Sequence, residues 1–477
     1  MKKFFGTHLG FGLVGAGILS WSVAQAQIHF HAETDPLPLV EVMVVLPMGF
    51  DPDQASQSGL GQVWGDIFEG GTAQQNRESY LAALGRMGAQ SQFQFGMFES
   101  TWSFRFPLPT RDQDRQQLVN LLSEVWRKPR WTNENFGVAK NQLEAALRAS
   151  LDSDMSLGMA TLRRWMGARW FGAHPLFAED LKGVTLERSR ALFEERMKSL
   201  KSLWVGYVGP ESGDSLVVDI LKESFPSLNE LRRQPGAFVL NPSRASQSLV
   251  RVAPVAVIVD KPERNQVVMS MLALSPRPFN FEQELSFRFG QNLAIESGLS
   301  SIFGHEIRTA RGLAYSVGGG VTRFRGLTGF SIVANPKAER ADEALKVFSD
   351  LVASTYGTAT RIGLLKQNDW DRQWKSFKYS RVLGRATPSA RLAEWSDVVS
   401  GDLSVEFFGS DSSKWKLNRS QVQKELESRF ADAAYAYSFV GDAKLIEPLV
   451  KRYFPSLEIL VIPYRAALSR KTFVPQP

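Results

Sequence analysis

A short stretch near residue 310 contains two hydrogen-bond donors whose spacing suits chemistry on a carbonyl group. Residues 304–317 read Gly-His-Glu-Ile-Arg-Thr-Ala-Arg-Gly-Leu-Ala-Tyr-Ser-Val, which places Arg308 shortly before Tyr315. A helix that ends near Arg308, a break at Gly312 and a strand that begins at Leu313 would bring the guanidinium and the phenol together. Both groups donate hydrogen bonds, so the pair suits a peptide carbonyl or a developing oxyanion.

A second stretch has the frame of a metal site without its usual ligands. Residues 59–72 read Gly-Leu-Gly-Gln-Val-Trp-Gly-Asp-Ile-Phe-Glu-Gly-Gly-Thr. We expect a helix over residues 58–69, in which Gln62 and Asp66 share one face as two metal ligands would. Zinc requires nitrogen, sulfur or carboxylate donors, whereas Gln62 offers a neutral amide. Gly65, which lies between Gln62 and Asp66, has no side chain that could take a proton.

Both stretches resemble signatures of the pitrilysin/insulinase family of zinc metallopeptidases. The first is similar to the family's Arg…Gly-Leu-Ala-Tyr-Ser-Val signature, and the second to Gly-Leu-Ala-His-x-x-Glu-His-x-x-x-x-Gly-Thr. The resemblance aligns the two histidine ligands with Gln62 and Asp66, and the glutamate base with Gly65. It puts the third ligand, a distal glutamate, near residues 142–144, where Glu144 lies in a predicted helix and is more simply a solvated charge.

The resemblance also implies how an incomplete site could work. In the family, the Arg/Tyr pair holds substrate near the zinc, and in some two-chain members the pair and the metal motif belong to different subunits. This chain would then bind no zinc and be inactive alone, while a sibling peptidase subunit with an intact motif holds the zinc. Arg308 and Tyr315 would bind the peptide substrate in a composite active site. Family members take extended peptide by strand addition at the position of residues 90–102, but the phenylalanines there are expected to face a core or a partner.

Two other functions remain open. The fold serves as a non-catalytic scaffold in some family members, and a peptide-binding protein could use the cavity between two halves without cleaving anything. Arg308 and Tyr315 also have an ordinary explanation, because arginine in a last helical turn complements the helix dipole and tyrosine on a strand usually packs half-buried. The retained Arg/Tyr pattern favours the composite peptidase over the scaffold.

The N-terminus and the composition indicate an exported protein. Lys2 and Lys3 precede an apolar run that ends in Ala-Gln-Ala, which predicts a signal peptide over residues 1–26 and a periplasmic location. No later apolar run is long enough for an integral membrane span. The formal charge of +7 falls to +5 without the two lysines, and the basic residues are dispersed, so nucleic acid is not an expected partner. There is no cysteine and no His-x-x-x-His pair, and His29 and His31 are expected in an N-terminal tail.

The sequence contains what we interpret as a tandem duplication. Phe-Pro-Ser-Leu occurs at residues 225–228 and 454–457, an offset of 229 (454 minus 225). A predicted strand ending in Val-Gly precedes each copy, at 208–209 and 440–441, an offset of 232 (440 minus 208). Landmarks that recur in one order at nearly one spacing are typical of a repeated unit.

Each unit is predicted to be an α+β half with a mostly antiparallel sheet and helices on one face, and the two halves form a clamshell. An opening strand (39–46 and 266–274) is followed by helices, two strands (89–106 and 313–334), a helical block, and a closing strand and helix. The predicted domains are the signal peptide, an N-terminal peptidase-like domain over 27–230, a linker over 231–248 and a C-terminal peptidase-like domain over 249–477.

Overall fold

The computed structural model describes residues 27–49, 57, 59–96, 99–167, 176–228, 230–233, 253–276, 280–324, 327–400, 405–408 and 410–473. The strands are β1 (Gln27–Thr34), β2 (Leu39–Leu46), β3 (Gln90–Gln94), β4 (Ser100–Pro107), β5 (Ser202–Gly209), β6 (Glu230–Arg233), β7 (Val255–Asp260), β8 (Val268–Pro276), β9 (Ala314–Phe324), β10 (Leu327–Pro336), β11 (Ala434–Gly441) and β12 (Glu458–Pro463).

The α-helices are α1 (Trp64–Glu69), α2 (Arg77–Arg86), α3 (Asp112–Arg127), α4 (Asn133–Ala149), α5 (Asp154–Met166), α6 (Leu186–Ser199), α7 (Asp214–Ser224), α8 (Phe281–Gln291), α9 (Ala341–Val352), α10 (Thr360–Gly363), α11 (Gln367–Gly384), α12 (Pro388–Val399), α13 (Val405–Phe408), α14 (Arg419–Ala431), α15 (Ala443–Tyr453) and α16 (Arg470–Phe473). Three π-helical turns span Asn292–Glu296, Gly304–Thr309 and Ala353–Gly357 within the described parts of the chain.

The two halves have the same sheet topology. The first sheet has the order β3-β4-β2-β5-β1-β6, and the second has the order β9-β10-β8-β11-β7-β12. In the first sheet β1 is parallel to β5 and β6, and in the second β7 is parallel to β11 and β12. The other pairings are antiparallel. The predicted fold class, two similar α+β halves in tandem, is therefore confirmed.

The inner strands are apolar because helices cover both of their faces. β8 and β11 are buried along nearly their whole length, whereas β4 alternates between buried and partly exposed residues. Helices of the same half pack on one face of each sheet, and a helix of the other half packs on the opposite face. α5 lies on β8 and β11 of the second sheet, and α12 lies on β2 and β5 of the first.

The two exchanged helices are held by different kinds of contact. Leu157 and Trp165 of α5 are buried in an apolar cluster with residues of the second sheet, and beside them the ammonium of Lys261 lies 2.6 Å from the carboxylate of Asp154. α12 adds charged contacts to its apolar ones, because Arg391 pairs with Asp35 just after β1. The halves therefore interlock reciprocally.

Three expectations about the chain are corrected by the structure. His29 and His31 lie in β1, not in a tail, and their rings stack on tryptophans at centroid distances of 5.2 and 6.3 Å. β7 precedes the strand that was predicted to open the second half. The predicted linker begins inside β6, because residues 231–233 pair with β1, while 234–248 lie outside the described residues. β1, β6 and β7 were not predicted, although β7 is a continuous apolar run of the kind that indicates a buried strand.

The predicted signal peptide, residues 1–26, also lies outside the described residues. In the part of the chain that the structure describes, no helix is both long and apolar enough to span a bilayer.

Candidate functional site

Arg308 lies in the π-helical turn Gly304–Thr309, which the chain leaves through a glycine. Gly312 has a φ of 60°, a conformation that glycine adopts without the steric cost of a Cβ atom. The amide of Gly312 donates to the carbonyl oxygen of Arg308 at 3.0 Å, and that of Leu313 donates to Ile307 at 2.8 Å. The predicted helix, glycine break and strand are therefore present, with β9 beginning one residue later than expected.

The structure brings Arg308 and Tyr315 together. The guanidinium carbon of Arg308 lies 5.2 Å from the centroid of the Tyr315 ring, a cation–π contact. Tyr315 is 79% exposed, and Arg308 is also exposed. A buried, packed tyrosine is thereby excluded for this strand position. The pair presents one planar cation and one phenol to solvent from the beginning of an edge strand.

The turn that carries Arg308 is anchored on both sides. Ile307 is fully buried in the core of the second half. On the outer side, the Glu306 carboxylate pairs with Arg311 and lies 3.2 Å from Arg361. Partial burial opposes ionisation of Glu306, but the hydrogen bond from Arg311 and the charge of Arg361 outweigh it and lower the pKa of that carboxyl. Glu306 therefore stays ionised and holds the turn in place.

The metal-like stretch folds differently from the prediction. α1 begins at Trp64 and not at residue 58, and Gln62 lies in the turn before it. Gly59 has a φ of 87°, which is incompatible with a right-handed helix starting at that point. Gln62 and Asp66 are therefore not two positions of one regular helix. The side-chain oxygen of Gln62 is buried and accepts no hydrogen bond from a described residue.

Asp66 has a partner that sequence reasoning missed. With its amide nitrogen turned towards α1, Gln142 of α4 donates to the two carboxylate oxygens of Asp66 at 2.5 and 3.0 Å. Burial and the neighbouring Glu69 raise the pKa of Asp66, and the charge of Arg77 opposes that rise. Hydrogen bonds from Gln142 favour the ionised carboxylate. An amide therefore faces Asp66 from the stretch 142–144, where the resemblance puts the third ligand.

The candidate carboxylate at the distal position points elsewhere. Glu144, two residues beyond Gln142 on α4, lies 4.0 Å from Arg148 on the same helix and is partly exposed. Because residues two apart on a helix project in different directions, Gln142 and Glu144 cannot both face Asp66. To predict that Gln142 contacts Asp66, one would have to know which face of α4 points towards α1.

The residues around Asp66 do not fit a zinc ion. Gln62 and Gln142 offer neutral amides, and the described part of the chain contains no group of three or more His, Cys, Asp or Glu that could hold a metal. A Cβ atom on Gly65 would lie 3.0 Å from the carbonyl oxygen of Phe93, so the position of the base has little room for a side chain. We therefore derive no chemistry from a metal in this half.

Aromatic packing closes the face of the degenerate motif. Phe93 of β3 is buried, and its ring contacts Phe68 at 5.0 Å. Phe95 packs edge-on against Trp64 at 5.1 Å, and its ring occupies the space where a Cβ atom on Gly61 would be. The expectation that these phenylalanines face a core therefore holds for Phe93 and Phe95. The third, at position 98, lies outside the described residues.

Comparisons with known proteins agree with this fold. Residues 190–356, which include Arg308 and Tyr315, match the family model described as the peptidase M16 inactive domain. A comparison with curated protein sequences found no match. Among solved structures, the peptidase M16 inactive domain from Pseudomonas fluorescens superposes with a TM-score of 0.69 at 16% identity, over 87% of this chain and 94% of that one.

Two bacterial proteases have the same fold. A protease from Helicobacter pylori superposes with a TM-score of 0.67 at 15% identity, over 86% of this chain and 96% of that one. The periplasmic protease PqqL from Escherichia coli gives a TM-score of 0.64 at 12% identity, over 86% of this chain but only 43% of its own. The chain therefore has the M16 peptidase fold and contains a segment matching the M16 inactive domain, as the resemblance to the pitrilysin/insulinase signatures implied.

Proposed function

We propose that this chain is the non-metal subunit of a heterodimeric zinc peptidase in the periplasm. It binds no zinc itself and contributes Arg308 and Tyr315 to a composite active site that degrades peptides. A sibling subunit with an intact His-x-x-Glu-His motif holds the zinc. The proposal includes cleavage of residues 1–26 on export.

The contact between Arg308 and Tyr315 carries this proposal. Two exposed donors, 5.2 Å apart from guanidinium carbon to ring centroid, stand on a rigid turn and a strand end, where they are available to a carbonyl oxygen. In the first half of the chain, Gln62 and Asp66 stand where the resemblance puts two zinc ligands, and Gly65 stands where it puts the general base. The proposal therefore assigns the zinc to the sibling subunit.

The size of the chain supports a partner of similar fold. It spans less than half of PqqL, a protein described as a periplasmic protease, while covering nearly all of the Pseudomonas inactive domain. A second subunit of similar size and fold would therefore make up the length that PqqL has in a single chain. This argument also favours the periplasm, in agreement with the Ala-Gln-Ala sequence after the apolar run.

The test is peptide turnover by the purified chain mixed with a sibling subunit. Tyr315→Phe deletes one hydroxyl and should slow hydrolysis about 10²–10³-fold, the usual effect of losing a donor to a developing oxyanion, while size-exclusion chromatography shows an intact heterodimer. Arg308→Ala should slow it as well, partly through lost packing. Unchanged turnover in both variants, or full activity of the sibling without this chain, would favour a non-catalytic scaffold instead.

The chain alone provides a second test. We expect metal analysis of the purified mature protein to find no stoichiometric zinc, and we expect it to cleave no unstructured peptide. Tight binding of about one zinc per chain together with chelator-sensitive hydrolysis would contradict the assignment of the metal to a partner.

A further inference from the structure

A cleft lies directly behind the turn that carries Arg308. It has a volume of about 610 Å³ and is bounded by the turn Gly304–Thr309 and by the segment that leads into α11. Its apolar walls are formed by Leu293, Leu299, Ile302, Leu364 and Leu365.

Two leucines at the mouth of this cleft are unusually exposed. Leu299 is 54% exposed and Leu364 is 78% exposed, although the walls behind them are apolar. Single exposed leucines are common on protein surfaces, but two that flank one apolar cleft form a continuous apolar lining. The side-chain amide of Gln373, which is itself buried, donates to the carbonyl oxygen of Ser300 at 3.0 Å and ties the two sides together. The cleft is thus braced by its own hydrogen bond.

The charges around the cleft leave one cation uncompensated. Arg361 pairs with Glu306 at 3.2 Å, and Arg372 pairs with Asp369 at 2.8 Å. Lys366 is exposed at the same rim, and no described acidic group lies within ion-pairing distance of it. An occupant with an apolar body and a carboxylate would complement both the walls and this ammonium group.

The cleft shares its turn with the candidate substrate-binding pair. His305, Glu306 and Thr309 line the cleft, while Arg308 of the same turn contacts Tyr315. The cleft and the candidate pair are therefore neighbours on one turn, which the buried side chain of Ile307 anchors in the core.

We propose that this cleft is a specificity subsite that binds an apolar segment of a peptide substrate followed by a carboxylate. The apolar side chain lies between Leu299 and Leu364, and the carboxylate of an acidic residue pairs with Lys366. The inference rests on the proposed function for the nature of the ligand. Binding to the cleft itself requires neither zinc nor a partner.

The experiment measures peptide binding to the isolated mature chain. The probe is a fluorescein-labelled peptide with Leu-Leu-Glu inside a glycine–serine frame, and its anisotropy reports the Kd. We expect Leu299→Ser with Leu364→Ser to weaken binding about tenfold, since each leucine loses apolar contact. Lys366→Ala should weaken binding about threefold and should abolish the preference for the peptide over its Leu-Leu-Gln analogue. Both changes are at exposed positions, so the fold is expected to be kept.

Matched controls come from the part of α11 beyond the cleft. Leu383 is 73% exposed and Lys375 is also exposed, yet neither lines the cleft. Leu383→Ser and Lys375→Ala should leave the Kd unchanged. Equal losses in the controls and the cleft variants, or no loss in either, would overturn the proposal.

The outcomes separate this inference from the composite active site. If the cleft variants lose peptide affinity while Tyr315→Phe leaves turnover unchanged, the subsite stands and the catalytic role of the pair fails. If Tyr315→Phe slows turnover while the cleft variants bind the probe normally, the subsite fails alone. If the cleft variants instead lose assembly with the sibling on size-exclusion chromatography and keep probe affinity, the cleft is a subunit contact and the subsite is refuted.

Discussion

The same helix–glycine–strand turn occurs in both halves of the molecule, with different side chains mounted on it. Gly88 has a φ of 62° and precedes β3 by two residues, and Gly312 has a φ of 60° and precedes β9 by two residues. In the first half, the amide of Ala89 donates to the carbonyl oxygen of Leu84, five residues back, at 2.9 Å. In the second, the amide of Leu313 donates to that of Ile307, six residues back, at 2.8 Å. The buried residues Leu84 and Ile307 therefore hold the same place, and the π-helical turn of the second half contains one extra residue.

The side chains differ outside the buried anchor. Arg308 follows Ile307, whereas Gly85, which has no side chain, follows Leu84. Tyr315, three residues after its glycine, corresponds to Ser91, which accepts a hydrogen bond from Trp102 at 2.8 Å. The turn itself therefore needs only its glycine and its buried anchor. An exposed arginine stacked on an exposed tyrosine adds nothing that the fold of the first half requires, and this favours a role in binding.

The edge strands β3 and β9 of the two sheets also differ in length and in composition. β3 is a 5-residue edge strand whose end is covered by aromatic packing, whereas β9 has 11 residues and carries three consecutive glycines at 318–320. A Cβ atom on Gly318 would meet nothing within 4 Å, whereas one on Gly319 would lie 2.0 Å from the carbonyl oxygen of Ser331. The fold therefore requires glycine at 319 but not at 318.

Substitutions at the buried anchor of the first turn and at the exposed arginine of the second should show the largest difference. Leu84→Arg places a charge in the first core with no acidic partner, and we expect it to lower the free energy of unfolding by roughly 3–5 kcal/mol. Arg308→Leu changes an exposed residue and should alter that free energy by no more than about 0.5 kcal/mol. Urea unfolding of the mature chain measures both. Equal losses would mean that Arg308 is a structural residue after all.

Rebuilding the metal motif should damage the first half without making it active. Gln62→His, Gly65→Glu and Asp66→His together force a side chain towards the carbonyl of Phe93, and such overpacking costs about 1–3 kcal/mol. The distal position remains an amide, Gln142, so a third strong ligand is still missing. Peptide turnover and zinc content of the triple variant are the measurements. Robust hydrolysis by this variant alone would show that the remainder of a metal site has been kept.

The two glycines allow a graded test of the duplicated turn. Alanine in the left-handed region costs about 1–2 kcal/mol, so Gly312→Ala should lower the free energy of unfolding by that amount. Gly88→Ala should cost more, because its Cβ atom would also lie 3.0 Å from Pro107, whereas nothing lies near the Cβ position at Gly312. Gly85→Ala, at a helical glycine with open space around it, is the control and should be neutral or stabilising. Indistinguishable losses at 88 and 312 would contradict the difference in packing.

The smallest effect concerns the charged contacts that hold α12 on the first sheet. A hydrogen bond from His31 lowers the pKa of Glu33 below its ordinary 4.5, against partial burial and with help from Arg385 and Arg391. A lowered pKa in the folded state contributes stability above 4.5 that is lost as the pH falls through the folded value. Glu33→Gln should therefore be less stable than the parent at neutral pH, by about 1 kcal/mol or less. The difference in the free energy of unfolding between this variant and the parent should disappear in acid, and urea unfolding at several pH values measures it. A deficit that persists in acid would assign the loss to packing.

Much of the fold follows from patterns in the sequence. The repeated Val-Gly and Phe-Pro-Ser-Leu landmarks predicted two α+β halves, and β5 and β11 do occupy equivalent places in the two sheets. β2 was predicted with its observed bounds because a buried inner strand is a continuous apolar run. Turn chemistry predicted the break at Gly312, since a glycine after a helix allows a left-handed residue.

The sequence by itself determined which residue types are available for chemistry, and residues 59–72 contain neither histidine nor cysteine. Only the tertiary structure decided which of these groups meet. β1, β6 and β7 pair in parallel with strands remote in the chain, Gln142 reaches Asp66 from another helix, and α5 and α12 cross to the opposite sheets. Each of these contacts depends on the packing of elements far apart in sequence, and no local periodicity encodes that. The nearness of Arg308 and Tyr315 was predictable because one short turn joins them, whereas the cleft beside them required two distant segments to come together.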